Sequence, residues 1–307
     1  MKFQSSARSA ATLGAAALGA MCILAAPARA ELIIGLTAGQ SIVTFDSATP
    51  GITTAPVAIT GTAGDAIVGI DRRPSLGPNN GLLYGLGLSV GSTVGHVYTI
   101  NTTTGVATLV STISTPVTSA SAFGIDFNPV PDRLRIVSVA DQNLRVNVDT
   151  GATTVDGPLA YALGDPNQLA NPNIVAVAYS NNFGGATATT LRDIDSALNI
   201  LATQNPPNDG TLNTQFSLGL DVTDIAGYDI SGLSGTPYAS FNVAGQAGTG
   251  FYTLSPAGAT LVGTVGTGIQ LLDIAAPVGL QVPEPGSLAL LGVALAAFGI
   301  TRRRKNA

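Results

Sequence analysis

Three aspartates recur at one position of a repeated pattern, and they are the residues best placed for chemistry. Asp71, Asp126 and Asp229 each lie two residues after a Gly, at the end of an apolar stretch. Converging carboxylate oxygens would suit a hard cation such as calcium, and a carboxylate pair could act on a glycosidic bond. Asp side chains at such positions also accept hydrogen bonds from nearby turn amides. Capping, cation binding and catalysis all stay open, and the three are our candidate metal ligands.

A serine motif is the second candidate for chemistry. Residues 87–91 read Gly-Leu-Ser-Val-Gly, the pattern of a nucleophile elbow, which requires an acid and then a base later in the chain. The only histidine, His96, follows Ser89 by seven residues with no carboxylate between them. We interpret the segment as a loop between two strands. We therefore expect no catalytic residue, no bound cofactor and no enzymatic activity.

Other charged side chains favour structural roles. Asp193 and Asp195 form a poorer calcium candidate, because the third oxygen ligand of an EF-hand loop is missing. Two arginines at spacing two share one face of a predicted strand, where cross-strand pairing with a nearby aspartate is expected. These arginines are Arg133 and Arg135, and the expected partners are Asp141 or Asp149.

The charge of the chain is unevenly distributed. The whole chain carries −5, but residues 31–284 contain six Arg, no Lys, 16 Asp and two Glu, a formal charge of −12. Nucleic-acid binding depends on basic contacts to phosphates, so this body excludes it. The single Cys, Cys22, lies near the N-terminus, so thiol chemistry and disulfides are not expected in the body.

The body from residue 32 to residue 277 is a repeat of short strands. Apolar runs rich in Val, Ile and Thr alternate with turns of Gly, Asn, Asp and Pro, which is typical of an all-β protein. A strand, a polar turn ending in Gly and a partner strand follow several copies of the unit, which predicts hairpins. The copies align on Gly69, Gly124, Ala176, Gly227 and Asp273, at intervals of 55, 52, 51 and 46 residues.

Four strands in a unit of about 50 residues predict a β-propeller blade. Residues 32–60 supply three strands without a first one, and residues 271–275 supply a first strand alone. Pairing these two parts would close the ring and remove both sheet edges. We predict about five blades, with the last blade shared between the termini. The alternative is a stacked β-solenoid or a sandwich, neither of which needs a shared terminal unit.

Both ends of the chain have the composition of export signals. Residues 1–30 combine a basic start, an apolar stretch and Ala28-Arg29-Ala30 as a cleavage site, which predicts a signal peptide for signal peptidase. Residues 31–277 are then the propeller-like domain, and residues 278–307 a linker with a sorting segment. The apolar run 288–300 would be about 20 Å long as a helix, a short transient membrane span.

Near the C-terminus, a Val-Pro-Glu-Pro motif is followed by the apolar run and then by a basic cluster. This order resembles the PEP-CTERM sorting signal of bacterial exosortase substrates. The resemblance implies processing by exosortase near the PEP sequence and release to the cell surface or outside. A plain C-terminal membrane anchor is the alternative. The residues that carry the resemblance are Pro283, Glu284 and Pro285 with Arg302, Arg303 and Arg304.

The body resembles a bacterial family, domain of unknown function 4394. This resemblance implies a secreted, propeller-like domain and assigns no catalytic residue. It is carried by residues 124–129 (GIDFNP), 132–138 (DRLRIVS), 143–152 (NLRVNVDTGA), 178–182 (AYSNN) and 204–212 (QNPPNDGTL).

The sequence therefore predicts an exported, non-enzymatic binding or structural module of the cell surface or the extracellular space. Exopolysaccharide or matrix is the expected ligand class. The alternative is a divalent-cation-dependent, glycan-active propeller enzyme that uses the repeated aspartates.

Overall fold

The computed structural model describes residues 30–280, which form 21 strands and one short 3-10 helix, Pro207–Asp209. The predicted signal peptide, except for Ala30, and the predicted sorting residues 283–285 and 302–304 lie outside the described residues. The predicted membrane span 288–300 also lies outside them. Within residues 30–280, no helix has the length and apolar character needed to cross a membrane.

The first half of the described chain contributes three strands and then two complete four-stranded sheets. The first three are β1 (Leu32–Thr37), β2 (Ser41–Asp46) and β3 (Val57–Ala58). Blade I consists of β4 (Ala66–Arg72), β5 (Leu83–Leu88), β6 (Gly95–Ile100) and β7 (Ala107–Thr112). Blade II consists of β8 (Phe123–Asn128), β9 (Arg133–Ser138), β10 (Asn143–Val146) and β11 (Thr153–Val155).

The second half forms two more sheets and a final strand. Blade III consists of β12 (Ala160–Tyr161), β13 (Ile174–Tyr179), β14 (Leu191–Asp195), β15 (Ile200–Gln204) and β16 (Thr211–Ser217). Blade IV consists of β17 (Val222–Ile230), β18 (Pro237–Val243), β19 (Gly250–Ser255) and β20 (Gly258–Thr264). The last strand is β21 (Leu271–Ala275).

The ring closes through a blade that both ends of the described chain build. Blade V has the strand order β21-β1-β2-β3, so one C-terminal strand pairs with three N-terminal ones. β1 and β21 are antiparallel, with Ile34 opposite Ala275. The first strands β4, β8, β13, β17 and β21 contact one another in that order and back to β4. The five-bladed propeller with a shared last blade is thereby confirmed, and the solenoid and sandwich alternatives are wrong.

Apolar side chains fill the space between neighbouring blades. Five clusters of buried residues occur, one at each interface between consecutive blades, because both faces of each sheet are covered by its neighbours. Two of the predicted hairpin turns contain a glycine with positive φ, Gly105 at 73° and Gly151 at 74°. Residues with a Cβ atom rarely adopt this backbone conformation, which explains why a glycine ends these turns.

The first strands approach one another closely around the central channel. A Cβ on Gly124 would lie 2.9 Å from the backbone of Ala176, and a Cβ on Gly227 would lie 2.7 Å from Asp273. Small residues at this repeat position in four of the five blades therefore let the first strands come close enough to line a narrow channel.

Candidate metal centre

The three repeated aspartates meet in the central channel. Asp71, Asp126 and Asp229 lie near the ends of β4, β8 and β17, and each is about 1% exposed. One carboxylate oxygen from each lies within 4.8 Å of the others. We name these residues the Asp triad. The structure thus brings together all three residues that the repeat predicted, while cation binding by them stays a prediction.

Each carboxylate of the Asp triad accepts a hydrogen bond from the next blade around the ring. The donor is always the amide that follows the equivalent repeat position, so the bonds join blades I to II, II to III and IV to V. The bonds run from Phe127 N to Asp71 (2.7 Å), from Tyr179 N to Asp126 (3.1 Å) and from Ala276 N to Asp229 (2.6 Å).

Capping by local amides accounts for only part of this bonding. Arg72 N donates to Asp71 and Ile230 N donates to Asp229, each at 2.6 Å. Asp126 has no such local donor among the described residues, and its one hydrogen bond comes from blade III. The capping interpretation was therefore incomplete, because the repeated aspartates link blades as well as capping strand ends.

A fourth aspartate lies two residues earlier in the repeat. Asp273 is at the position that Gly69 occupies in blade I, and its carboxylate accepts Ile70 N (2.9 Å) and Ile274 N (2.8 Å). A Cβ on Gly69 would lie 3.2 Å from this carboxylate. Asp273 therefore links blade V to blade I and adds a carboxyl group at a neighbouring level of the channel.

The electrostatics of the Asp triad disfavour three charges at once. Burial and then the charge of Asp229 raise the pKa of Asp71, and burial and then Asp71 raise the pKa of Asp126. Burial raises the pKa of Asp229 to about 7, although the amides of Ala276 and Ile230 oppose this. Because like charges in a buried site repel, full ionisation of the Asp triad is disfavoured near neutral pH, and a cation among the carboxylates would favour it.

Arg72 is the arginine next to this site. Burial lowers its pKa, while the charges of Asp229 and Asp71 act in the opposite direction. Across residues 30–280, it makes no ion pair within 4.0 Å, and its buried Nε has no hydrogen-bond partner. Arg72 therefore compensates the Asp triad only at a distance.

A buried amide side chain lies at the same end of the channel. Asn182 is fully buried, and neither its Oδ1 nor its Nδ2 has a hydrogen-bond partner in the described chain. Its side chain lies beside Asp229, where it favours the ionised carboxylate, without completing a hydrogen bond of good geometry. An unpartnered buried amide costs free energy, which makes Asn182 a candidate to contact a ligand at the Asp triad. Sequence reasoning missed Asn182, because it belongs to no repeated position.

The serine motif is part of a different cluster, around a carboxylate that sequence reasoning missed. Asp65 accepts hydrogen bonds from Ser89 Oγ and from Tyr98 (2.8 Å), and His96 Nδ1 lies 2.7 Å from it. The serine hydroxyl thus donates to the aspartate and not to the imidazole. A nucleophile needs its base next to the hydroxyl, so this order does not form the serine–histidine–acid relay.

Most of the other charged candidates are bonded within the domain, although both carboxylate oxygens of the buried Asp193 lack a hydrogen-bond partner. Arg135 pairs with Asp156 at 2.6 Å, so the expected pairing with Asp141 or Asp149 was wrong for this residue. Arg133 donates to the carbonyls of Pro131 and Asp132. Of the weaker calcium pair, one member is bonded within the domain, through Tyr161 OH to Asp195 at 2.6 Å. The group of three acidic residues close enough to share a cation in residues 30–280 is the Asp triad.

Sequence comparisons agree with both resemblances. A family model described as a domain of unknown function, DUF4394, matches residues 41–275. The PEP-CTERM protein-sorting motif matches residues 281–305. A search of curated protein sequences finds no match.

Several solved structures resemble the chain, at low identity and with TM-scores below 0.5, so no functional argument rests on them. A Bacteroides uniformis protein described as a 6-phosphogluconolactonase has a TM-score of 0.39 and 15% identity, covering 76% of this chain and 81% of that one. The periplasmic gluconolactonase PpgL of Pseudomonas aeruginosa has a TM-score of 0.38 and 12% identity, and the match covers 83% of this chain and 70% of that one. Sqt1 of Saccharomyces cerevisiae has a TM-score of 0.35 and 11% identity, and the match covers 80% of this chain and 62% of that one.

Proposed function

The chain belongs to the DUF4394 family of domains of unknown function, and from that premise we propose that it is an exported, non-enzymatic surface module. In this proposal, a divalent cation at the Asp triad holds the propeller ring closed, and calcium is the first candidate. The PEP-CTERM motif implies exosortase processing and is consistent with export to the cell envelope or surface. The ligand class that we propose for the exported ring is exopolysaccharide or matrix.

The observation that carries the cation proposal is the convergence of three buried carboxylates within 4.8 Å. Calcium takes six to eight oxygen ligands in flexible geometry. Asp71, Asp126 and Asp229 offer only oxygen ligands, and the unpartnered side-chain amide of Asn182 lies next to one of them, Asp229. This donor set suits a hard cation and lacks the nitrogen and sulfur ligands that zinc favours.

The burial of the same residues supports a structural role over a catalytic one. Glycoside hydrolysis needs two carboxylates on either side of a bound sugar. Each member of the Asp triad is about 1% exposed, and its carboxylate is already bonded to backbone amides of the ring. A sugar has no access to carboxylates that are buried to this extent, so the glycan-active enzyme is the less favoured candidate.

Thermal unfolding with and without calcium tests this proposal. For the full chain, saturation at 100 times the dissociation constant adds about 2.7 kcal/mol to the free energy of unfolding. For a domain of this size, we expect this to raise the Tm by about 5–10 °C above its value in EGTA. The Asp126→Asn variant removes a ligand and should show no calcium response, whereas Asp209→Asn, at an exposed position of the 3-10 helix, should respond like the native chain.

The result that overturns the cation proposal is an equal Tm in EGTA and in calcium, with no binding heat in calorimetry. Hydrolysis of a glycan panel in calcium, lost in Asp126→Asn, would overturn the non-enzymatic assignment and favour the enzyme. Saturable binding to at least one polysaccharide of such a panel, without turnover, is the outcome expected for the ligand class.

A further inference from the structure

The chain leaves the propeller across the mouth of the channel at which the Asp triad lies. Residues 276–280, the exit segment, follow β21 and lead directly into the sorting motif, which begins at residue 281. Gly232 N donates to Pro277 O (2.8 Å), and Gly279 N donates to Asn182 O (2.8 Å). Phe183 and Gly279 also form an isolated parallel bridge. The exit segment is therefore bonded on both sides to the loops that follow β13 and β17.

Glycine packing leaves no free space around this crossing. A Cβ on Gly232 would overlap the carbonyl oxygen of Asn182 and the amide nitrogen of Gly279. A Cβ on Gly279 would in turn overlap the carbonyl oxygen of Gly232. The three backbones are in direct contact, so the exit segment can leave the mouth only if these hydrogen bonds break together.

The exit segment is fastened to groups that also belong to the candidate metal centre. Asp229 accepts Ala276 N at 2.6 Å, and Ala276 is fully buried. Asn182 has its backbone carbonyl on the exit segment and its unpartnered side chain beside Asp229. A ligand that fixes the side chains of Asp229 and Asn182 would therefore also fix the two acceptors that hold the exit segment.

We infer that a cation at the Asp triad controls how firmly the exit segment is held, and so controls access to the sorting motif. This inference rests on the proposed cation site. In the loaded domain, residues 276–280 lie against the channel mouth, and in the unloaded domain they separate from it more often.

The N-terminus leaves the ring at the same face. β1 and β21 are antiparallel, and Ile34 lies opposite Ala275, so residue 31 lies at the same end of blade V as the start of the exit segment. Glu31 is buried there, and its amide donates to Ser47 Oγ (2.9 Å). Both ends that carry export signals in our interpretation therefore leave at the face that the Asp triad would regulate.

Hydrogen exchange of the full chain in calcium and in EGTA tests the inference. We expect the amides of Ala276 and Gly279 to exchange at least tenfold more slowly in calcium, while the amide of Gly105, in a distant hairpin, is unchanged. The matched variant is Asp126→Asn, which loses a cation ligand but keeps the bond between Asp229 and Ala276. In this variant, calcium should leave the exchange of both exit-segment amides unchanged.

The outcomes separate this inference from the proposal on which it rests. If calcium raises the Tm and binds in calorimetry but the amides of Ala276 and Gly279 do not respond, the inference fails and the cation site stands. If calcium neither binds nor changes the Tm, the cation site itself fails. A slower exchange in calcium that persists in Asp126→Asn would also overturn the inference, because the effect would then not depend on the Asp triad.

Discussion

Carboxylates in the channel and at the interfaces between blades are neutralised in two different ways. At the interfaces they meet arginine: Arg73 lies 2.7 Å from both Asp132 and Asp149, and Asp156 lies 2.6 Å from Arg135. In the channel, the described carboxylates of the Asp triad have no cationic group within 4.0 Å and bond to backbone amides.

The two arrangements have opposite effects on the carboxyl groups. Arg73 lowers the pKa of Asp149, whereas burial and repulsion raise the pKa of Asp71 and Asp126. An interface pair carries its own counter-charge, so it stabilises the fold without any ion from solution. The channel depends on protons or a cation for neutrality, which makes it the region whose stability responds to its surroundings.

The largest effect is expected at the interface between blades II and III. Arg135 is fully buried and donates to Asp156, Asn143 and Asn208, so Arg135→Met removes three hydrogen bonds, while Arg145 still pairs with Asp156. Losing these hydrogen bonds, one of which joins two charged groups, costs about 2–4 kcal/mol. Urea unfolding should show this loss, while Arg133→Met in the same strand should cost less than about 1 kcal/mol. A loss of less than about 1 kcal/mol for Arg135→Met would show that this interface arginine does not stabilise the fold.

A second effect, of opposite sign to that of ordinary acid denaturation, is expected from the channel. In EGTA, the pKa of Asp229 is raised to about 7, so the folded chain holds a proton that the unfolded chain has released. Stability should therefore fall as the pH rises from about 4 to about 7, by about 1.4 kcal/mol per pH unit for each such group. Asp126→Asn is neutral at every pH and should make this slope shallower.

Urea midpoints measured across this pH range check the slope. Asp209→Asn, at an exposed position, is the control and should retain the native slope. If the free energy of unfolding in EGTA rises steadily with pH from 4 to 7, the pKa values of the channel carboxyl groups are not raised in the folded chain.

The smallest effect is expected at Asp65. Burial opposes its ionisation, but hydrogen bonds from Ser89, Tyr98 and His96 prevail and lower its pKa. Because this pKa is depressed, its contribution is present above the unfolded-state pKa and is lost as the pH falls through the folded-state pKa. Ser89→Ala removes one donor and should cost about 1 kcal/mol near neutral pH.

The same variant should move the loss of stability to higher pH in urea titrations on the acid side. Thr93→Ala, at an exposed position of the following loop, should change neither the stability near neutral pH nor the pH at which stability is lost. An acid-side profile of Ser89→Ala identical to that of the native chain would show that the hydroxyl does not stabilise the Asp65 carboxylate.

Much of the fold was predictable because its signals are local. Strands and turns follow from alternating apolar runs and from residues such as Gly105 and Gly151 that occupy positive φ. The split unit predicted the shared blade, since unpaired strands at both ends can satisfy each other's edges. The position of Asp71, Asp126 and Asp229 in the repeat predicted that they share one level of the channel.

The partners of these groups were less predictable. Asp65 meets Ser89 and His96 from 24 and 31 residues away, and no motif joins them. The pairing of Arg135 with Asp156 depends on how the backbone returns after β10, which residue spacing along one strand does not give. Asn182 has no counterpart in the other repeats, so no periodicity could identify it.

The sequence alone determined the repeating unit, the number of blades, the blade shared between the ends and the acidic, Lys-free body, because strand periodicity, turn chemistry and composition are local properties of the chain. Only the tertiary structure decided that three carboxylates 55 and 103 residues apart lie within 4.8 Å, and that one of them holds the exit segment. The physical reason is closure of the ring: the curvature that brings β21 back to β4 sets the width of the channel. That width decides whether repeated charges stay apart or share one site.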